Sequence, residues 1–469
     1  MKMKRIAIIL IVFFACTGWL VASGKGGHHI RIKIKGLRDT ICYLGCYYGD
    51  KQYLRDSARV DSKGSFDFKG DEPLPGGIYL VVLPGRKYFE ILIDNEQHFS
   101  IETDTSEYFG HMKVRNSDDI KLFASYQFFV SEKSREADIL HKSLKEAKTK
   151  ADSDLVRVKM SETDKEVNAY RNKFAGEYPG SFLTKIFRAM PDPEIPAPPL
   201  LPDGNPDSSF RFHYFKTHYF DNIDFSDDRL LRTPILHKKL KNYFTNLIVP
   251  VPDSVCMEAD SLVARARANR EVFKFVVWYI TNTYEHSNVM GMDAVFVHMA
   301  KKYYMAEGEI LADSVALYKI SHRAKVLEPL LIGKIAPDLT MTDSSGIKHS
   351  LLAAKAKYTI LCFWDPDCGH CQKIIPKLDS LYREIKANGV EVFAVCTEAE
   401  TEKWKKYIRE HNLGWINVSD PSFSTNFRGV YDISSTPVFY LLDEKKEIIA
   451  KKISVEQIGE MLGKTFKRK

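Results

Sequence analysis

Cysteine is scarce, with eight in 469 residues. A disulfide-stapled scaffold needs a far higher density, so that class is excluded. Glycine and proline are few as well, 26 and 20, which excludes collagen-like and low-complexity chains. A dominant charge sign is missing: 68 Lys and Arg stand against 61 Asp and Glu. That balance gives no global nucleic-acid signal. Long apolar runs are absent apart from residues 6–22, so a polytopic membrane protein is excluded. What remains is ordinary for folded chains: 44% hydrophobic and 28% charged residues. At roughly 100–200 residues per domain, the length implies two to four domains.

Residues 1–24 read as a secretory leader. Lys2, Lys4 and Arg5 form a basic end, residues 6–16 an unbroken apolar run, and Val21-Ala22-Ser23-Gly24 a small-residue cleavage site. Two other readings stay open. Phe14-Ala15-Cys16 is a loose lipoprotein site that would leave Cys16 acylated, and the leader could remain as an anchor. The apolar residues 17–21 argue against the lipid, which is normally followed by a polar tether. All three place the bulk of the chain outside the cytoplasm. The short basic leader points to a bacterial periplasm or outer envelope, with any membrane association through the leader or a lipid anchor.

Residues 25–117 alternate with period two and carry turn signals at short intervals, the pattern of an all-β, sandwich-like domain. Residues 29–35, 78–83 and 88–93 read as strands, and Asp61-Ser62-Lys63-Gly64-Ser65-Phe66 as a strand–turn–strand. This stretch resembles the small N-terminal β-domain of unknown function found ahead of thioredoxin-like domains in bacterial envelope proteins. Cys42 and Cys46, four apart in one strand, would sit about 13 Å apart and cannot bridge each other. They read as small core residues.

Residues 118–330 read as a mainly helical domain. Helical spacing over 131–178 is followed by seven prolines between Pro191 and Pro206, an extended segment. Aromatic-rich helices are then expected over 230–247, 260–284, 292–305 and 309–327. No His or Cys pair there has metal-site spacing. The basic runs at 403–406 and 464–469 read as solvated faces.

Residues 331–469 read as an α/β domain: a hairpin, buried strands over 358–364 and 390–396, a helix over 368–388 between them, then further strands and a closing helix over 455–464. At the first strand-to-helix junction sits Cys368-Gly369-His370-Cys371. A helix start has unpaired N–H groups and a partial positive end, which favour a thiolate. Cys371, one turn on, is placed to attack a mixed disulfide on Cys368. His370, when protonated, would add to the thiolate's stability. A zinc site needs two more ligands, and no second pair exists.

Here the chain resembles the thioredoxin-like superfamily, specifically the TlpA/ResA-type envelope thiol–disulfide proteins. Gly333-Lys334-Ile335-Ala336-Pro337-Asp338-Leu339 is similar to their opening motif. Pro376 matches the helix-kinking proline, and Ser435-Thr436-Pro437-Val438 the cis-proline loop. The resemblance implies a cis Pro437 that faces the thiols and, with Thr436, docks the partner chain. Three departures stand out. Cys362 replaces a buried aspartate, Ile374 replaces a glutamate, and Asp367 replaces a tryptophan. The carboxylates that help deprotonate the resolving thiol are therefore missing, leaving solvent, His370 or a group from elsewhere. Asp365 and Asp367 are expected to oppose the thiolate.

The expected function is an exported thiol–disulfide oxidoreductase acting on protein thiols and disulfides, as reductase or isomerase. Its site residues are Cys368 (nucleophile), Cys371 (resolving), His370 (pKa tuning), Pro437 and Thr436. No metal or organic cofactor is expected. Expected partners are envelope protein thiols and a membrane or periplasmic electron donor, not nucleic acid. One alternative is an envelope binding or scaffold protein in which the redox pair is secondary. Another is a peroxiredoxin-type peroxidase, which needs Thr or Ser three residues before its cysteine, where this chain has Asp365.

Overall fold

The structure, a computed structural model, describes residues 26–467. The leader reading, with Cys16, lies outside the described residues. The described residues form two compact units, one running to residue 191 with 229–237, the other 192–228 with the chain from 238 onward.

In the first unit, eight strands build two sheets: β1 (His28–Lys35), β2 (Ile41–Tyr48), β3 (Lys51–Arg59), β4 (Ser65–Gly70), β5 (Gly77–Val82), β6 (Tyr88–Ile93), β7 (His98–Asp104) and β8 (Lys113–Arg115). The sheet orders are β4-β1-β7-β8 and β3-β2-β5-β6. Ile30, Ile32 and Ile34 alternate inward from β1 and join Cys42, Leu44 and Cys46 of β2 in one core. Cys42 and Cys46 are thus buried free thiols, as core residues should be.

The turn before β4 depends on two side-chain choices. Asp61 Oδ1 accepts the N–H groups of Lys63 and Ser65, both at 2.8 Å. Gly64 has φ +84°, and a Cβ there would lie 2.3 Å from the Ile34 carbonyl oxygen. Gly64→Ala should therefore destabilise this unit by at least about 1–3 kcal/mol. A denaturant midpoint equal to wild type would refute that reading of the turn.

Three helices complete the unit: α1 (Asp118–Glu146), α2 (Lys150–Glu177) and α3 (Phe182–Ala189). The expected helical spacing from residue 131 begins earlier, at the Ser117 N-cap, and breaks at Thr149, whose hydroxyl accepts Asp152 N–H. Ile120 of α1 enters the sandwich core, and Gln127 donates to Glu90 of β6 at 3.0 Å. Packing therefore divides the helical stretch 118–330 between the two units.

The second unit opens with the proline-rich segment, which is non-helical and closed by a bridge between Leu200 and Pro206. Its helices are α4 (Phe210–His218), α5 (Pro234–Asn242, which straddles the two units), α6 (Pro252–Ala266), α7 (Arg270–Glu285), α8 (Asp293–Met299), α9 (Met305–Leu311) and α10 (Ser314–Leu327). Several expected helices are interrupted, each at a residue that starts a new one. Pro234 cannot continue a helix and opens α5. Asn269 caps α7, accepting from Glu271 and Val272. Asp313 caps α10, accepting Ala316 N–H.

The last part holds β9 (Thr340–Asp343), β10 (Lys348–Ser350), β11 (Tyr358–Trp364), α11 (Gly369–Ile385), β12 (Val390–Cys396), α12 (Thr401–His411), β13 (Ile416–Ser419), α13 (Phe427–Val430), β14 (Val438–Leu442), β15 (Ile448–Lys451) and α14 (Val455–Lys467). The seven strands order as β10-β9-β13-β12-β11-β14-β15. β11 runs parallel to β12 and antiparallel to β14, near the middle of the sheet. Its residues are buried alternately in two cores. Ile360, Cys362 and Trp364 meet Ile375 and Leu378 of α11, Trp404 of α12 and Ile458 of α14. Leu361 and Phe363 meet Phe427 of α13, Tyr431 and Leu339. The long helices thus crowd one face, while the other is covered by a four-residue helix and the irregular segment before β9. This is the α/β thioredoxin-like arrangement, set in a multidomain chain with N-terminal sheets and a helical middle.

Candidate active site

The continuous apolar run of β11 buries the strand and delivers the chain to its carboxyl end. There Asp365 Oδ1 accepts Asp367 N–H at 2.7 Å, turning the backbone. Cys368 is the N-cap of α11, with extended backbone, and its carbonyl accepts Gln372 N–H at 3.0 Å. Gln372 Nε2 also donates to the Pro366 carbonyl at 2.9 Å, tying the loop to the helix. From across the site comes the Thr436–Pro437 bond, which is cis. It leads into β14, where Val438 pairs with Phe363. The Cys368 thiol donates to the Thr436 carbonyl at 3.6 Å. The structure thus brings Cys368, Cys371, Thr436 and Pro437 together.

The two thiols differ in surroundings. Cys368 is partly exposed, and Cys371 is fully buried. Both are free thiols. The backbone N–H of Cys371 holds the Cys368 thiol below its ordinary value, helped by the Thr436 side chain and the N–H of His370, against a smaller cost of burial. Burial pushes the Cys371 thiol up to about 11, only partly countered by the N–H of Asp365. Chemically, the pair offers one accessible nucleophile and one protonated thiol held behind it.

His370 is exposed and lines a groove of about 370 Å³ with Ile374, Pro437, Phe439 and Ile453. Ile374, which replaces the glutamate of the resembled family, makes that part of the groove apolar. Cys362 lies in the core behind the pair, and burial raises its thiol well above the ordinary range.

Two sequence expectations change. Asp367 does not oppose the thiolate uncompensated, because Lys403 of α12 donates to its carboxylate at 2.7 Å. Both partners are more than half exposed, so the pair is weak but present. Residues 403–406 are not simply a solvated face either, since Trp404 is 1% exposed and packs in the core. A lysine 36 positions away in sequence leaves no local signal, whereas a tryptophan between lysines on an amphipathic helix does.

Comparison with known proteins gives three family matches. The AhpC/TSA family matches residues 332–451, a domain of unknown function (DUF5106) residues 148–328, and another (DUF4369) residues 28–123. The thiol-disulfide oxidoreductase ResA of Bacillus cereus is 31% identical over 135 residues, which is 76% of that protein and 29% of this chain. The chain belongs to the ResA-type thiol–disulfide oxidoreductases. A domain of a possible thiol-disulfide isomerase from Cytophaga hutchinsonii is 46% identical, with 99% of that domain and 30% of this chain covered and a TM-score of 0.28. A thioredoxin-like protein from Bacteroides caccae is 20% identical, with 98% of it and 58% of this chain covered and a TM-score of 0.45. In this oxidoreductase the thioredoxin-like part is extended by the N-terminal sheets and the helical middle, neither of which the ResA alignment is long enough to include.

Proposed function

We propose that this oxidoreductase exchanges disulfides of envelope proteins through Cys368 and Cys371. The observation that carries the reading is the inequality of the pair: an accessible thiol with a lowered pKa, hydrogen-bonded to the Thr436 carbonyl just before Pro437, and a buried partner. The Cys368 thiolate attacks one sulfur of the partner's disulfide. That S–S bond breaks, a mixed disulfide forms, and the partner's other sulfur leaves as thiolate. Cys371, once deprotonated, attacks the Cys368 sulfur and expels the second partner thiolate. The partner gains two electrons and two protons, and Cys368–Cys371 becomes a disulfide. An external dithiol donor must then reduce it. If the partner's own second thiol attacks first, the net result is isomerisation and no donor is consumed. The leader motif supports an envelope location, and Asp365 three residues before Cys368 disfavours the peroxidase alternative.

Reduction of insulin by dithiothreitol should be accelerated by the wild-type chain and not by Cys368→Ser. Equal rates would return the chain to the binding-protein reading. The redox potential is expected between roughly −180 and −270 mV, the range between disulfide isomerase and thioredoxin. Cys-Gly-His-Cys shares the isomerase dipeptide, while Asp365 moderates the thiolate. His370→Pro should shift the potential to a more negative value on equilibration with glutathione buffers. A wild-type potential near −120 mV, that of the strongest oxidant, would instead mark a disulfide donor.

A further inference from the structure

Two cavities of the second unit meet at one side chain. Lys452, at the exit of β15, lines both the active-site groove and a second cavity of about 170 Å³. The second cavity is walled by the helical stretch: residues 287–291 between α7 and α8, and Arg323 and Leu327 of α10. A second tie runs through Asp432, which lies in the loop leading to Pro437 and lines the groove. Its carboxylate accepts from Arg323 Nη1 at 3.0 Å and from Lys452 Nζ at 3.3 Å. Arg323 is gripped from behind by Glu285 of α7 at 3.2 Å. Every residue lining the groove belongs to the thioredoxin-like part, but two of them are linked to the helical stretch: Asp432 is held by Arg323, and Lys452 also lines the second cavity.

The charges around this second cavity are already answered. Lys451 pairs with Asp293 and donates to the Leu330 carbonyl at 2.6 Å. Arg323 pairs with Glu285 and Asp432, and Lys452 with Asp432. An ionic ligand would have to break these pairs. Uncovered at the edge, beside Asn288 and the Lys452 side chain, stand two apolar residues: Val289 is 55% exposed and Met290 43%. Methionine is flexible and polarisable, suited to side chains of varied shape.

We propose that the helical stretch supplies a second substrate subsite. It takes an extended polypeptide segment of the disulfide-bearing partner, whose backbone continues from Pro437 across Lys452 and whose apolar side chain seats against Val289 and Met290. This inference rests on the proposed exchange reaction and adds a substrate preference to it. The partner class is an unfolded or locally extended chain with apolar residues near its cysteine. A small disulfide such as glutathione disulfide carries no apolar side chain to seat against Val289 and Met290.

The test uses the full chain and two substrates, glutathione disulfide and an unstructured, leucine-flanked peptide with one glutathionylated cysteine. In Met290→Glu the ratio of kcat/KM for peptide to that for glutathione disulfide should fall about tenfold, the order expected for losing one buried apolar contact. The loss should appear in KM, and Met290→Leu should restore the ratio. An unchanged ratio overturns the subsite, whether both activities hold or both fall together. A second arm does not depend on thiol chemistry. A cysteine-free version of the peptide, fluorescently labelled, is titrated with the Cys368→Ser, Cys371→Ser chain with and without Met290→Glu. Weaker binding in the Met290→Glu chain supports the subsite, and equal binding overturns it. A wild-type chain that exchanges neither substrate refutes the proposed function alone, since this second arm still decides the subsite.

Discussion

Cys371→Ser is expected to turn the chain into a trap for its partners. Cys368 keeps its exposure, its N-cap position and the N–H groups that lower its pKa, so attack on a partner disulfide continues. Release by the chain itself needs a sulfur at position 371, and serine's hydroxyl does not displace a thiolate at neutral pH, so only partners with a second free thiol can still escape. Mixed disulfides should therefore accumulate, visible as high-mass bands on non-reducing gels and lost on reduction. Multiple turnover in net reduction should fall to background, as it should in Cys368→Ser. Cys368→Ser should give no such bands, because the remaining thiol is buried and pushed up to about 11. If the bands formed on Cys368→Ser instead, attacker and resolver would have to be exchanged.

The second large effect is in chemical labelling of the reduced chain. Alkylation follows the thiolate fraction and access. Cys368 should titrate below an ordinary thiol, held down by the Cys371 N–H, so it reacts faster near neutral pH and its rate levels off before a free thiol's does. Cys371 should stay silent until the pH approaches about 11. A two-unit rise over an ordinary thiol means about a hundredfold less thiolate at neutral pH, before burial is counted. The other described cysteines should not compete. Cys42, Cys46, Cys362 and Cys396 are buried, and burial holds Cys256 near 11 as well. Peptide mapping by mass spectrometry should thus find one dominant site. Comparable labelling of Cys368 and Cys371 would contradict the asymmetry on which the mechanism rests.

How much of this was legible beforehand depended on whether the determinant was local. Tyr358–Trp364 and Val390–Cys396 are readable to the residue, because each is a mostly apolar run, broken only by Thr359 and Glu391, and bounded by polar turns. The Cys-x-x-Cys at the end of the first needed only the next few residues. The placement of Pro437 beside it came from resemblance, since nothing within the loop itself announces what it will face. The helical stretch was read less well. Its apolar spacing runs on through Asn269 and Asp313, and both interrupt it as N-caps, which a periodicity reading passes over. The pairings that shape the groove were beyond reach. Lys403 with Asp367 and Arg323 with Asp432 join residues 36 and 109 apart in sequence. Such pairs are products of the tertiary fold and leave no pattern in the chain.

The core behind the thiol pair contains sulfur and hydrocarbon, with Cys362 at the position where the resemblance places a buried aspartate. Cys362 is fully buried beside Cys371 and is itself held protonated. With a pKa of about 11, Cys371 is a thiolate only about one part in ten thousand of the time at pH 7. The described core around Cys371 is sulfur, aromatic and aliphatic side chains. In the exchange proposed above, a slowly deprotonated Cys371 would prolong the mixed disulfide. The partner's own thiols would then have time to attack it, which would favour rearrangement of wrongly paired cysteines over their simple reduction.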